Sequence, residues 1–265
     1  MIIVGEKINT SLKGITDFVK CKDTAAIGEL AKLQADLGAD YIDVNCGTLV
    51  DEEREALPWL IKTVGAVVDK PCCIDSPDPV ALEAALKCHN GTPMINSITA
   101  EEKRYAEMIV LVKEYQAKVV SLLIDDENGI SPDAGIRIDI GCRLIEKMTA
   151  EGVPIGDIYI DPLVQPISTG ADMGKVVLRT IEEIRKRYPG VHFMCGLSNI
   201  SFGIPERGLL NRTYIAMCMA AGLDGAVLDP TNEKMMSVIL AGNALLNQDK
   251  ACKRYLKAHR KGMLV

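Results

Sequence analysis

Apolar and polar positions along the chain follow a pattern that repeats eight times. Short β-rich runs occur at Ile2–Gly5, Tyr41–Val44, Cys72–Ile74, Met94–Ile95, Val119–Ile124, Ile158–Ile160, Val191–Met194 and Ala226–Leu228. Between them, apolar residues recur at helical spacing. Ile27, Leu30, Leu33 and Leu37 predict one helical face, ended by Gly38. Tyr105, Met108, Ile109 and Val112 predict another, capped by Thr99. Val177, Leu178, Ile181 and Ile184 make a third, ended by Pro189, and Tyr214, Met217, Cys218 and Ala221 a fourth, closed by Gly222. Asp78-Pro79 and Ser131-Pro132 read as N-caps with proline at the first helical position. A last helical region follows Thr231-Asn232 and breaks near Asp249. Even β–α repeats with no linker predict an α/β chain with residues 1–265 as one domain. A closed (β/α)8 TIM barrel fits better than an open doubly wound sheet, and 265 residues is close to the roughly 250 usual for that barrel.

The polar residues at the ends of these runs carry the chemistry. Nearly every run stops at a carboxylate or amide: Glu6, Asp43 and Asn45, Asp75, Asn96, Asp125, Asp161, Asn199 and Asp229. A single such residue is most simply a helix cap or a turn former. In a barrel all eight positions gather at the C-terminal face, where active sites are built. A ring of carboxylates and amides with few cations suits a neutral ligand rich in N–H donors. The pyrimidine edge of a pterin is such a ligand, because a carboxylate accepts two parallel N–H donors while an amide both gives and receives. By this argument Asp75, Asn96, Asp161 and Asn199 are the candidates.

Composition narrows the field. Lys plus Arg is 30 against 36 Asp plus Glu, a formal charge of −6, so nucleic acid is not the expected partner. No run is long and apolar enough to span a bilayer, and MIIVGEKINT lacks a signal-peptide pattern, so the expected location is cytoplasmic. Nine cysteines, an odd and scattered set, read as buried apolar side chains or free thiols. Cys72-Cys73 and His192 to Cys195 lie on strands, where such neighbours face opposite sides, so no metal site is expected. Phosphate loops of the GxG and GxxxxGK types are absent, and no serine has a histidine at a strand end to serve it. His89, His259 and Trp59 read as structural or surface groups. Met217, Met219, Met235 and Met236 read as core, and Asp229 as a turn residue.

Several segments taken in order carry a resemblance: IIVGEKIN, YIDVNCG, CIDSPDP, MINSIT, YIDPL and GLSNISFGIPERGLLNRTYIAMCMAAGLDGAVLD. Together they are similar to the methyltetrahydrofolate:corrinoid-protein methyltransferases. These are pterin-binding TIM barrels related to the folate module of cobalamin-dependent methionine synthase and, more distantly, to dihydropteroate synthase. The resemblance runs over essentially the whole chain. It implies that Asp161 clasps the pyrimidine amino group and ring N–H, that Asp75 and Asn96 contact the rest of that edge, and that Asn199, the catalytic residue, lies near N5. Gly196 and Ser198 would bring backbone close to the ring. Glu6, Asp43 and Asn45 would line the same mouth, and Arg207 would meet the folate tail or the partner. The substrate implied is tetrahydrofolate or 5-methyltetrahydrofolate. The cobamide implied rides on a separate corrinoid protein, because the Asp-x-His-x-x-Gly signature of corrinoid binders does not occur here. A homodimer is implied too. Dihydropteroate synthase resembles the chain less, since its NxTPDSF and Ser-x-Arg segments are missing. A folate-binding, corrinoid-docking module without turnover is the alternative of a different class.

Overall fold

The computed structural model describes residues 1–265. Eight parallel strands close into a barrel: β1 (Ile2–Asn9), β2 (Tyr41–Asn45), β3 (Cys72–Asp75), β4 (Met94–Thr99), β5 (Lys118–Leu122), β8 (Ile158–Asp161), β9 (His192–Gly196) and β10 (Gly225–Leu228), with β10 pairing back to β1. The run predicted to continue to Ile124 stops at Leu122. The chain then turns into a two-stranded hairpin, β6 (Ile124–Asp125) and β7 (Gly129–Ile130). Helices α1 (Ile15–Lys20), α2 (Thr24–Asp36), α3 (Glu53–Gly65), α4 (Pro79–Leu86), α5 (Glu102–Glu114), α6 (Ala134–Ala150), α7 (Met173–Arg187), α8 (Arg207–Ala221), α9 (Glu233–Leu245) and α10 (Lys253–Arg260) make the outer layer. None is long and apolar enough to cross a membrane.

Strand alternation divides the buried apolar residues into two sets. Fifty-eight form the layer between strands and helices, whereas seven (Val4, Tyr41, Cys73, Met94, Val120, Tyr159 and Met194) fill the barrel. Cys72 belongs to the first set and Cys73 to the second, so the two thiols do face opposite ways. Beyond the inner set, the inward positions of β2, β3, β4 and β8 are polar, whereas β5 ends in Leu122 and β9 in Gly196. In register, Asn45 pairs with Asp75 and Asp75 with Asn96, while Asp161 lies opposite Leu122.

Helix ends show where local signals compete. Asp78 and Asn232 cap their helices, accepting from Val80 N–H and Met235 N–H. Asp249, at the expected break, accepts from Arg254 and Tyr255 N–H and so starts α10. Two expected caps are displaced. Thr99 remains in β4 and donates to Glu101, and the α5 N-terminus is met instead by Asp126 of the hairpin, which accepts from Glu102 N–H. Ser131 accepts from Asp133 N–H, and Asp133 itself caps α6, accepting from Ile136 N–H.

The phase of α2 also differs from the apolar stripe. Its buried face is Ile27, Gly28, Ala31 and Gln34, and Leu33 is exposed. The reason lies in β1. A register shift between Gly5 and Ile8 leaves Lys7 N–H outside the ladder, and the fully buried Gln34 accepts from it at 2.9 Å. Gly5 makes room for this: a Cβ there would come within 2.5 Å of Gln34 Oε1. Of the methionines expected in the core, Met219 and Met235 are buried and Met217 is exposed, because it lies on the outer side of α8.

Candidate functional site

The strand ends build a polar bowl at the C-terminal mouth of the barrel. On one side, three adjacent strands present Asn45, Asp75 and Asn96 at one level, neighbouring strands being about 4.8 Å apart. Asn45 Nδ2 donates to Asp75 Oδ2 at 2.7 Å, and Gly47 N–H donates to Asn45 Oδ1, so Asn45 ties Asp75 to the β2–α3 loop. Asp75 keeps its other oxygen free, and the side-chain amide of Asn96 has no protein partner. Burial raises the Asp75 carboxyl above the usual carboxylate range, against the pull of Asn45.

One layer deeper lies Asp43, opposite Cys73 in register and 2% exposed, with Oδ1 lacking any partner. Burial first, and then the nearby Asp75, push its carboxyl well above the ordinary range. Glu6, inside β1 at the register shift rather than at the strand's end, is raised by burial and by Asp229, with Lys7 opposing.

Across the bowl, Asp161 ends β8, deep in the mouth and partly open to it. Leu163 N–H donates to its Oδ1 at 2.8 Å, leaving Oδ2 free. Burial pushes this carboxyl up to about 7, against the pull of that N–H and the Arg137 charge. On the next strand, β9 ends at Gly196 and runs into a short 3-10 turn, Leu197–Ser201. Gly196, Ser198 and Asn199 are all exposed there. A Cβ built on Gly196 meets nothing within 4 Å, so space lies open in front of this backbone. The Asn199 amide has no protein partner, while its carbonyl accepts from Phe202 N–H.

Arg207 differs from its expected role in one respect: much of its guanidinium is already engaged. Nε donates to Ser201 Oγ at 3.0 Å and Nη2 to the Ser198 carbonyl at 2.8 Å, which fixes the turn that carries Asn199. Asp229 is the turn residue it was expected to be, accepting from Thr231 N–H and Oγ1. It also pairs with Lys7 Nζ at 3.0 Å, and these contacts outweigh burial and hold it below the usual range. Asp125, the remaining strand-end carboxylate, is turned into the hairpin, where Asn128 and Arg143 occupy it.

Four side chains that sequence reasoning passed over stabilise the bowl: Lys7, Gln34, Arg104 and Arg137. Arg104, in the first turn of α5, donates to the carbonyls of Ser76, Pro77 and Ser97 and so joins the loop after Asp75 to β4 next to Asn96. Arg137, in the first turn of α6, bonds the loop after Asp161. A cation near a helix start reads as solvated surface, and only the fold shows that these two point inward. With Lys7 paired to Asp229 and these arginines held by carbonyls, the mouth offers acceptors rather than free positive charge.

A cavity of about 760 Å³ opens at the opposite end, lined by Tyr41, Thr92, Lys113, Lys118, Glu151 and Asp157 among others. Its cations already have partners: Lys118 donates to Tyr159 OH and Lys113 to Glu151. The C-terminal mouth is therefore the candidate site.

The geometry agrees with what the chain is similar to. It is 36% identical over 266 residues to the methylcorrinoid:tetrahydrofolate methyltransferase of Eubacterium limosum, covering 100% of this chain and 98% of that protein. It is 33% identical over 242 residues to the methionine synthase of Mycobacterium tuberculosis, covering 86% of this chain but only 20% of that longer protein. Among solved structures, a dihydropteroate synthase from Clostridium difficile, determined in the presence of pteroic acid, superposes with a TM-score of 0.72. That match has 22% identity and covers 92% of this chain and 96% of the other, a likeness of fold. The pterin binding enzyme family matches residues 5–229, from the first strand to the end of the last, and the chain belongs to that family.

Proposed function

We propose that this protein is a methyltransferase that moves a methyl group between N5 of tetrahydrofolate and the cobalt of a corrinoid carried by a separate protein. The observation that carries the reading is the bowl itself: free carboxylate and amide acceptors on β3, β4 and β8, with the unpartnered Asn199 amide beside them on a turn open to solvent. The full-length similarity to a methylcorrinoid:tetrahydrofolate methyltransferase supports it, and supports methylcorrinoid to tetrahydrofolate as the working direction. The same reading makes the protein a cytoplasmic homodimer of one-carbon metabolism, whose corrinoid partner docks over the mouth.

In this assignment Asp161 accepts the pyrimidine amino group and ring N–H, and Asp75 and Asn96 take the remaining polar edge. Parallel bonds of this kind fix orientation as well as affinity. Gly196 and Ser198 present backbone to the ring. Asn199 accepts the N5–H hydrogen and leaves the N5 lone pair directed at the incoming methyl. The N5–C bond forms as the cobalt–carbon bond breaks, both electrons of that bond staying on cobalt, and N5 then releases its proton to solvent. Asn199 bonds more strongly as N5 gains positive character, so its contribution grows toward the transition state.

The test is anaerobic optical spectroscopy of the protein with tetrahydrofolate and methylcobalamin. The expected result is growth of the cobalt(I) band at a rate proportional to protein. Tight pterin binding in calorimetry with no turnover, on free cobalamin or on a methylated corrinoid protein, would make this a binding module. No pterin binding would overturn the reading altogether.

A further inference from the structure

Arg137 is the largest of the fully buried side chains, 0% exposed, on the inner face of α6. Burying a guanidinium is strongly unfavourable unless its donors are satisfied. Here they are matched almost completely. Nε donates to the Ser131 carbonyl at 2.6 Å, Nη1 to the carbonyls of Pro162 and Leu163 at 2.7 and 2.6 Å, and Nη2 to Gln165 Oε1 at 2.5 Å. Three of these four acceptors belong to the four residues that follow Asp161. Leu163, in the middle, has φ = 60°, the left-handed region, which is strained for a residue that carries a side chain. Its carbonyl is held by Arg137 on one side, and its N–H points to Asp161 Oδ1 on the other. Arg137, Leu163 and Asp161 thus form one connected chain of bonds from the helix to the bowl.

We propose that Arg137 is a positioning residue for the pterin site: from behind the loop it holds the Leu163 turn in the conformation that aims the Asp161 carboxyl, and it supplies the positive charge behind that carboxyl. Arg137 does not reach the ligand; it acts through Asp161. The inference takes its ligand from the function proposed above, but the titration part does not depend on that function. The other titratable groups near this pair are the Cys195 thiol on β9, beside Asp161, and the Tyr214 phenol on α8, beside Arg137. Burial raises both, so both stay neutral around pH 7 and leave Arg137 as the charge that Asp161 meets.

The experiment is a carbon-13 NMR titration of protein labelled at the aspartate carboxyl carbon, with the Asp161 signal assigned by its loss in D161N. Wild type, R137M and R137K are compared, with circular dichroism as the check on folding. In R137M the Asp161 midpoint should move to higher pH by at least one unit; R137K, which keeps the charge, should stay near wild type. Calorimetry with 5-methyltetrahydrofolate should then show R137K binding at least tenfold more weakly, since a lysine cannot span three carbonyls and an amide. A folded R137M with the wild-type midpoint overturns the electrostatic part. R137K with wild-type affinity and only a lower melting temperature makes Arg137 a structural residue, and this second arm decides the matter if R137M does not fold. A wild type that titrates as expected yet binds no 5-methyltetrahydrofolate overturns the pterin reading and leaves the Arg137–Asp161 coupling standing.

Discussion

Asp161 and Asp224 sit at the two ends of the same barrel, and the structure treats them in opposite ways. At the floor, Asp224 accepts from His192 Nδ1 at 2.8 Å, Phe193 N–H at 2.7 Å and Arg185 Nη2 at 2.9 Å. Burial opposes its charge, but these donors prevail and hold it below the ordinary range. At the mouth, Asp161 receives one backbone N–H, and burial carries it up to about 7. At the floor both oxygens of Asp224 are answered from within the chain. The mouth leaves acceptors unanswered, which lowers stability and is useful only if a ligand brings the missing donors.

The sharpest way to test this contrast is D161N. Without the carboxylate, one N–H of a bound pterin edge would face a donor, so affinity for 5-methyltetrahydrofolate should fall ~100-fold or more, about 3 kcal/mol, by calorimetry. The melting temperature should hold or rise, because a costly buried acid is gone. Next in size is N199A: methyl transfer should slow on the order of 10–100-fold with pterin affinity changed less than threefold, as expected for a bond that strengthens in the transition state. Equal losses in rate and affinity would reduce Asn199 to a binding residue.

Acidity gives a third test. A ligand that needs the Asp161 carboxylate binds fully above the folded value near 7, and its affinity should fall by about tenfold per unit as pH drops below that point. Stability runs the other way at this residue. Between the ordinary carboxylate value and about 7 the folded chain holds more protons than the unfolded one, so this contribution weakens as pH rises through that window. Asp224, being depressed, contributes stability above the ordinary value and loses it as pH falls through its lower folded value. The smallest effect on the site is expected from D224N. It should cost about 1–3 kcal/mol of stability, seen as a melting point lower by a few degrees, and leave pterin affinity unchanged. A D224N protein that lost pterin affinity would erase the distinction between the two ends.

Much of this was legible in the sequence because the barrel converts position into place. A polar residue at the end of an apolar strand run, in inward parity, has nowhere to go but the mouth, and Asn45, Asp75, Asn96 and Asp161 are there. What was hidden depends on how helices are phased against strands. Leu33 reads as core from its apolar spacing, yet the shift in β1 calls for a buried acceptor at 34, which turns Leu33 to solvent. Arg104 and Arg137 lie in first helical turns, where composition alone suggests solvent. Their inward direction is set by loop carbonyls that have no signature in sequence. Arg207 was found through its motif, and only the structure shows that it grips the turn carrying Asn199.

The stacking of Asp43 beneath the acceptor layer, together with the half-titrated Asp161, gives the mouth a proton inventory. At pH 7, a ligand that requires Asp161 as a carboxylate displaces about half a proton per molecule into the buffer, and the fraction grows as the solution is made more acidic. The heat measured for folate binding will then depend on the ionisation enthalpy of the buffer, and its slope against that enthalpy counts the protons released. Asp43, its carboxyl pushed upward by burial, lies a layer below Asp161, where only a ligand that reaches down to its partnerless Oδ1 would meet it.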